Sequence, residues 1–82
     1  MDREKLIETG WQIVAREALP PNCHPIQLQE MRRAFYAGCQ HLFGVLAAVG
    51  DDAVSEDRGV EILAAVGDEL QQFSRDLIEG RA

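Results

Sequence analysis

Residues 20–44 read PPNCHPIQLQEMRRAFYAGCQHLFG, and the parsing of this stretch decides the fold. It holds all three prolines, both cysteines, both histidines, and an Arg32-Arg33 pair close to Phe35-Tyr36. It is either a reactive site or a bend that feeds a helix. Pro20-Pro21 ends any preceding helix, because each proline lacks an N–H and restricts the residue before it. Pro25 suits a first helical position, where its missing N–H would have no partner. Leu28, Met31, Phe35, Leu42, Leu46 and Val49 then form an apolar stripe at helical spacing, with Gly38 and Cys39 inside it. Gly50-Asp51-Asp52 reads as a stop and turn. A helix from His24 or Pro25 to about residue 49 follows.

Outward from this helix the pattern repeats on both sides. Ile7, Trp11, Val14 and Ala18 share one face of a first helix, expected from about Asp2 to Leu19, with Leu6 and Ile13 widening it. Ser55 is a good N-cap for a third helix, and Glu56 and Asp57 suit the positive end of its dipole. Leu63, Val66, Leu70, Phe73 and Leu77 make its apolar stripe, and Gly80 reads as its stop. No strand-like alternation or internal repeat is present. The expected fold is all-α, a three-helix bundle or antiparallel helical assembly, with residues 1–82 as one domain.

Five glycines, Gly10, Gly38, Gly44, Gly59 and Gly67, fall inside or near the start of these helices. Each costs about 1 kcal/mol against alanine in a helix interior. Close approach of helices would compensate. Alternatively, some of the helices are shorter than the periodicity suggests, and these glycines mark their ends.

Eighty-two residues support one small core worth a few kcal/mol, so a second subunit, metal or disulfide is a common supplement. The charged start does not resemble a secretory signal, and Leu42–Gly50 is about half of the roughly 20 residues a membrane span needs. The expectation is a soluble protein of the bacterial cytoplasm with no membrane contact and with Cys23 and Cys39 as free thiols. Residues 1–50 carry five acids and five bases, whereas 51–82 carry nine acids and three bases, so the whole net charge of −6 lies in residues 51–82. Such a surface gains nothing from counterion release, and direct nucleic-acid binding is disfavoured.

Cys23, His24, Cys39 and His41 are zinc-compatible residue types without zinc-compatible spacing. Cys39 and His41 point about 200° apart on a helix, and no CxxC or HxxxH occurs. No phosphate loop, nucleophile elbow or paired-carboxylate signal is present. The expectation is a non-enzymatic protein with no catalytic residue, metal or cofactor.

Three surfaces remain as candidates for a protein partner. A polar stripe of Gln29, Arg32, Arg33, Tyr36 and Gln40 has the composition of an interface hot spot, or of an ordinary solvated helix face. Ala37, His41, Gly44 and Ala48 form a small-residue face where the second helix is apolar nearly all round, which suggests a two-fold homodimer, unless the third helix wraps this segment within one chain. Asp57, Glu61, Asp68, Asp76 and Glu79 lie roughly opposite the third helix's apolar stripe, with Glu69 at one edge. Such a row can occupy a basic groove on another protein, though its commoner role is solubility.

Trp11, Pro20-Pro21, the run from Gln27 to Glu30, and Arg33-Ala34-Phe35-Tyr36-Ala37-Gly38 together resemble a group of short proteins from phages and prophages of proteobacteria. The resemblance covers about half the chain, and residues 51–82 agree with the group only in being an acidic helix. No activity is assigned to that group, so no site residue carries over. It implies a phage-derived accessory protein. By analogy of class, small acidic phage proteins bind and block host nucleic-acid machinery, including CRISPR complexes. The expected function is thus protein–protein binding as a homodimer, in its sharper form inhibition through the acidic helix. The alternative is a structural or assembly protein whose main contact is homo-oligomerisation.

Overall fold

The computed structural model describes residues 4–82. They form three α-helices, α1 (Leu6–Ala18), α2 (Pro25–Val49) and α3 (Glu56–Ile78), and no strand occurs among the described residues. The class is all-α, with contacts between helices. Packing divides the chain into two compact units, Met1–Phe43 and Gly44–Ala82, with the boundary inside α2.

The first unit is α1 against the early turns of α2. Trp11 is its core, 4% exposed, with its ring centroid 5.8 Å from that of Phe35 at an interplanar angle of 54°. Gly10 permits this approach, since a Cβ there would stand 3.4 Å from the edge of the Phe35 ring. The helix is shorter at its start than the periodicity suggests. The expected start at Asp2 lies outside the described residues, and Glu4 and Lys5 precede the helix. Lys5 occupies the N-cap position in a non-helical conformation (φ −114°, ψ 67°), and its side chain accepts nothing from the first N–H groups.

The Pro-rich bend is a β-turn closed by Cys23 N–H donating to the Pro20 carbonyl at 3.1 Å. Pro21 sits at its second position, where its fixed φ is already correct. His24 then caps α2, with the Ile26 N–H donating to its Nδ1 at 3.1 Å and the Leu28 N–H to its carbonyl at 2.9 Å.

The second unit joins the end of α2 to α3. Asp51 organises the turn: its carboxylate accepts from Ala53 N–H at 2.8 Å and its carbonyl from Val54 N–H at 3.0 Å. Ser55 Oγ accepts from Arg58 N–H at 3.1 Å, so the expected N-cap is the observed one. Gly59 is buried where α3 leaves this turn, and a Cβ there would lie 3.1 Å from Val49 Cγ1. At the other end Gly80 takes φ +78°, Gly80 N–H donates to Leu77 O at 3.2 Å, and Arg81 N–H to Asp76 O at 2.7 Å. That pair of bonds is a Schellman stop.

All five questioned glycines lie within helices, so none of them marks a helix end. Gly10 and Gly59 serve close approach. A Cβ added at Gly38, Gly44 or Gly67 would meet nothing within 4 Å. No helix of the described residues is long and apolar enough to cross a membrane.

Candidate functional site

The most connected polar cluster is on the first unit and begins with Glu8, a residue that the sequence patterns do not single out. Glu8 Oε2 accepts from Gln12 Nε2 at 2.9 Å. Its Oε1 accepts from the Arg32 guanidinium and from Tyr36 Oη, the latter at 2.8 Å. The Arg32 guanidinium also lies 4.7 Å from the centre of the Tyr36 ring, a cation–π contact. The cluster ties one turn of α1 to one turn of α2. Charge-assisted bonds from Arg32, then the bonds from Gln12 and Tyr36, hold the Glu8 carboxyl well below its ordinary value, at about 2. The same bond to Glu8 raises Arg32 and, because the phenol must keep its proton to donate, raises Tyr36.

This changes what the polar stripe offers. Arg32 and Tyr36 are engaged with α1, whereas Gln29, Arg33 and Gln40 are exposed. Arg33 approaches Glu30 one turn away at 3.7 Å, a solvated pair of little energetic weight. Beside Tyr36 lies a shallow apolar groove of about 290 Å³ lined by Ile7, Tyr36, Cys39, Gln40 and Phe43. The signal that could have found the cluster is a pair of complementary i,i+4 sets, Glu8/Gln12 on one helix and Arg32/Tyr36 on the next, each beside the apolar stripe that packs its helix.

Cys23 and Cys39 are free thiols, half-buried, and His24 has its Nδ1 occupied by the α2 cap. Among the described residues no three His, Cys, Asp or Glu side chains gather where they could hold a metal ion.

On the second unit the acidic row is partly neutralised from within. Glu61 pairs with Arg58 at 3.1 Å. Asp76, half-buried, accepts from Gln72 at 2.9 Å and from Arg81 at 3.0 Å, and Glu79 also meets Arg81. Asp57 and Asp68 are exposed, and neither has an ion pair among the described residues.

Ala37, His41, Gly44 and Ala48 are all exposed along α2. So are Leu42, Phe43 and Leu46. The apolar stripe of α3 is the larger surprise. Leu70 is 59% exposed, Phe73 59% and Leu77 60%, with Val60, Leu63 and Ile78 exposed as well. Among the described residues Trp11 is the one buried large hydrophobic side chain.

Comparison with protein-family models, curated proteins and solved structures finds no match to this chain.

Proposed function

We propose that this protein works without catalysis, by binding other polypeptides through helical faces that its own chain leaves open. The observation that carries this reading is the apolar exposure: among the described residues fifteen large hydrophobic residues are exposed and one is buried. A patch of apolar surface beyond a few hundred Å² marks an interaction site on a soluble protein. A chain of this size also has no stability to spare, so a partner that covers its stripes contributes directly to folding.

A second reading concerns what such an assembly presents outward. All of the net −6 charge lies in residues 51–82, and Asp57 and Asp68 are exposed. This supports an accessory protein of phage type that offers α3's acidic face to a basic surface on host nucleic-acid machinery. Asp57, Glu61, Asp68, Asp76 and Glu79 are its proposed contacts, with Gln29, Arg33 and Gln40 as the weaker alternative.

A photo-crosslinking residue at Leu70, introduced in the full chain and activated in the producing cell, tests the first reading. Adducts with a polypeptide, own or foreign, are expected, and their absence would remove the reading. Charge reversal at Glu61, Asp68 and Glu79 tests the second, read with a further photo-crosslinking residue at Ala64, which lies between Glu61 and Asp68 on the acidic face. Loss of a foreign adduct with the own-chain adduct intact is expected, and an unchanged foreign adduct would move attention to Gln29, Arg33 and Gln40.

A further inference from the structure

The stripe on α3 is not spaced like an ordinary amphipathic face. Leu63, Val66, Leu70, Phe73 and Leu77 recur at intervals of three, four, three and four, which is a strict 3.5-residue period. That period makes a narrow straight seam that a second helix of the same kind fills, side chains of one entering gaps of the other. Gly59, one interval before Leu63, continues the seam and is buried against Val49. Beyond that point the seam opens to solvent, and Leu70, Phe73 and Leu77 each expose more than half their surface.

We infer that the open part of the seam closes on α3 of a second copy of this chain. The inference rests on the protein-binding reading above and names its first partner. Three observations select a second copy over a foreign helix. First, the seam from Leu63 to Leu77 contains no charged or polar position, so a two-fold partner meets it apolar to apolar without leaving a buried charge unpaired. Second, Asp57, Glu61, Asp68 and Glu79 lie on the far side of α3, so two seams meet without pressing these carboxylates together. Along the open part of the seam a basic foreign helix would find Glu69 and Asp76 at the edge, and Asp76 is already held by Gln72 and Arg81. Third, the area suffices. With about 200 Å² for a whole large side chain, the exposed seam supplies on the order of 500 Å² per copy. Two copies thus bury about 1,000 Å² in total, enough for a specific interface, before any contribution from Val60 on the seam's flank.

The small-residue face of α2 is a poorer candidate for this role. Ala37, Gly44 and Ala48 have almost no side-chain area to bury, and Gly44 has open space around it. In the dimer the acidic faces of both copies of α3 point outward, which doubles the negative surface available to a third partner.

Sedimentation of the full chain from about 1 to 100 µM, with thermal melts across the same range, tests the inference. A species of twice the chain mass is expected, with a Tm that rises with concentration. Leu70→Glu should weaken association by about 100-fold or more, because the carboxylate would be buried opposite its own copy. Gln71→Ala, exposed and off the seam, should leave the dimer intact. Should Leu70→Glu fail to fold, a photo-crosslinker at Phe73 gives the same information in an otherwise native chain, through an own-chain adduct that joins two α3 segments. A monomer with a concentration-independent Tm would overturn the inference. If that monomer still forms foreign adducts from position 70, the protein-binding reading stands; if it forms none, both fail. A dimer whose adducts lie on α2 alone would overturn the assignment to α3.

Discussion

At the scale of single residues the molecule depends on a few side chains that each satisfy several neighbours. Glu8 is the clearest case, since one carboxylate answers donors from Gln12, Arg32 and Tyr36. Its pKa falls from an ordinary 4.5 to about 2 on folding. Between those values the unfolded chain binds a proton that the folded chain does not. Folding stability therefore rises with pH through this window, and Glu8's contribution is complete above about pH 4.5 and gone as pH falls through about 2. Glu8→Gln keeps an acceptor oxygen but removes the charge. Denaturant titrations at pH 6 and pH 3 should show the wild type losing more stability on acidification than Glu8→Gln does. Equal losses would mean that the cluster is not formed in solution. Tyr36→Phe should reproduce part of the effect, because it removes one of the three donors and leaves Arg32 in place.

At the scale of the helices, local chemistry explains nearly every boundary. Pro25 after the capping His24, Ser55 with its bond to Arg58 N–H, and Gly80 with φ +78° are each required by the backbone they occupy. Ser55→Ala should cost about 1 kcal/mol by denaturant titration, the usual worth of an N-cap. Gly80→Ala should cost a similar amount, about 1 kcal/mol, because an L side chain is strained in that conformation. The glycines inside the helices separate by their surroundings. Gly38→Ala has open space and should stabilise by about 0.5 to 1 kcal/mol. Gly59→Ala would place a Cβ 3.1 Å from Val49 Cγ1, so it should lose that gain or destabilise outright. These signals are legible because caps, stops and periodicity act over three or four residues. The Glu8 cluster was not read, because the i,i+4 sets say which side chains share a face but not that Arg32 and Tyr36 turn toward a residue 24 and 28 positions earlier. Composition marks them as a partner-binding stripe, and only the packing of α1 on α2 shows that two of its five members are already in use.

At the scale of the whole molecule, one fact dominates: among the described residues, which are rich in apolar stripes, Trp11 is the one large hydrophobic side chain that is buried. Replacement of a buried tryptophan by alanine costs about 3 to 5 kcal/mol, as much as a small core supplies. Trp11→Ala should therefore lose cooperative unfolding by circular dichroism, while a change at exposed Ile78 should not. The stripes were legible in the sequence, but their coverage was not, since periodicity gives the face of a helix and not its occupant. Charge supplies a way to tell the occupants apart. Both copies of the proposed dimer bring −6, concentrated in residues 51–82, so their long-range interaction is repulsive. A rise in ionic strength from about 0.01 to 0.15 M shortens the screening length from about 30 to 8 Å and removes most of that repulsion. Self-association should therefore tighten with added salt. Capture of a basic partner by the acidic face should weaken over the same range, because there the screened interaction is attractive. Sedimentation at the two salt concentrations reads the sign directly. Self-association that weakens with salt would mean that opposite charges, and not the apolar seam, hold the copies together.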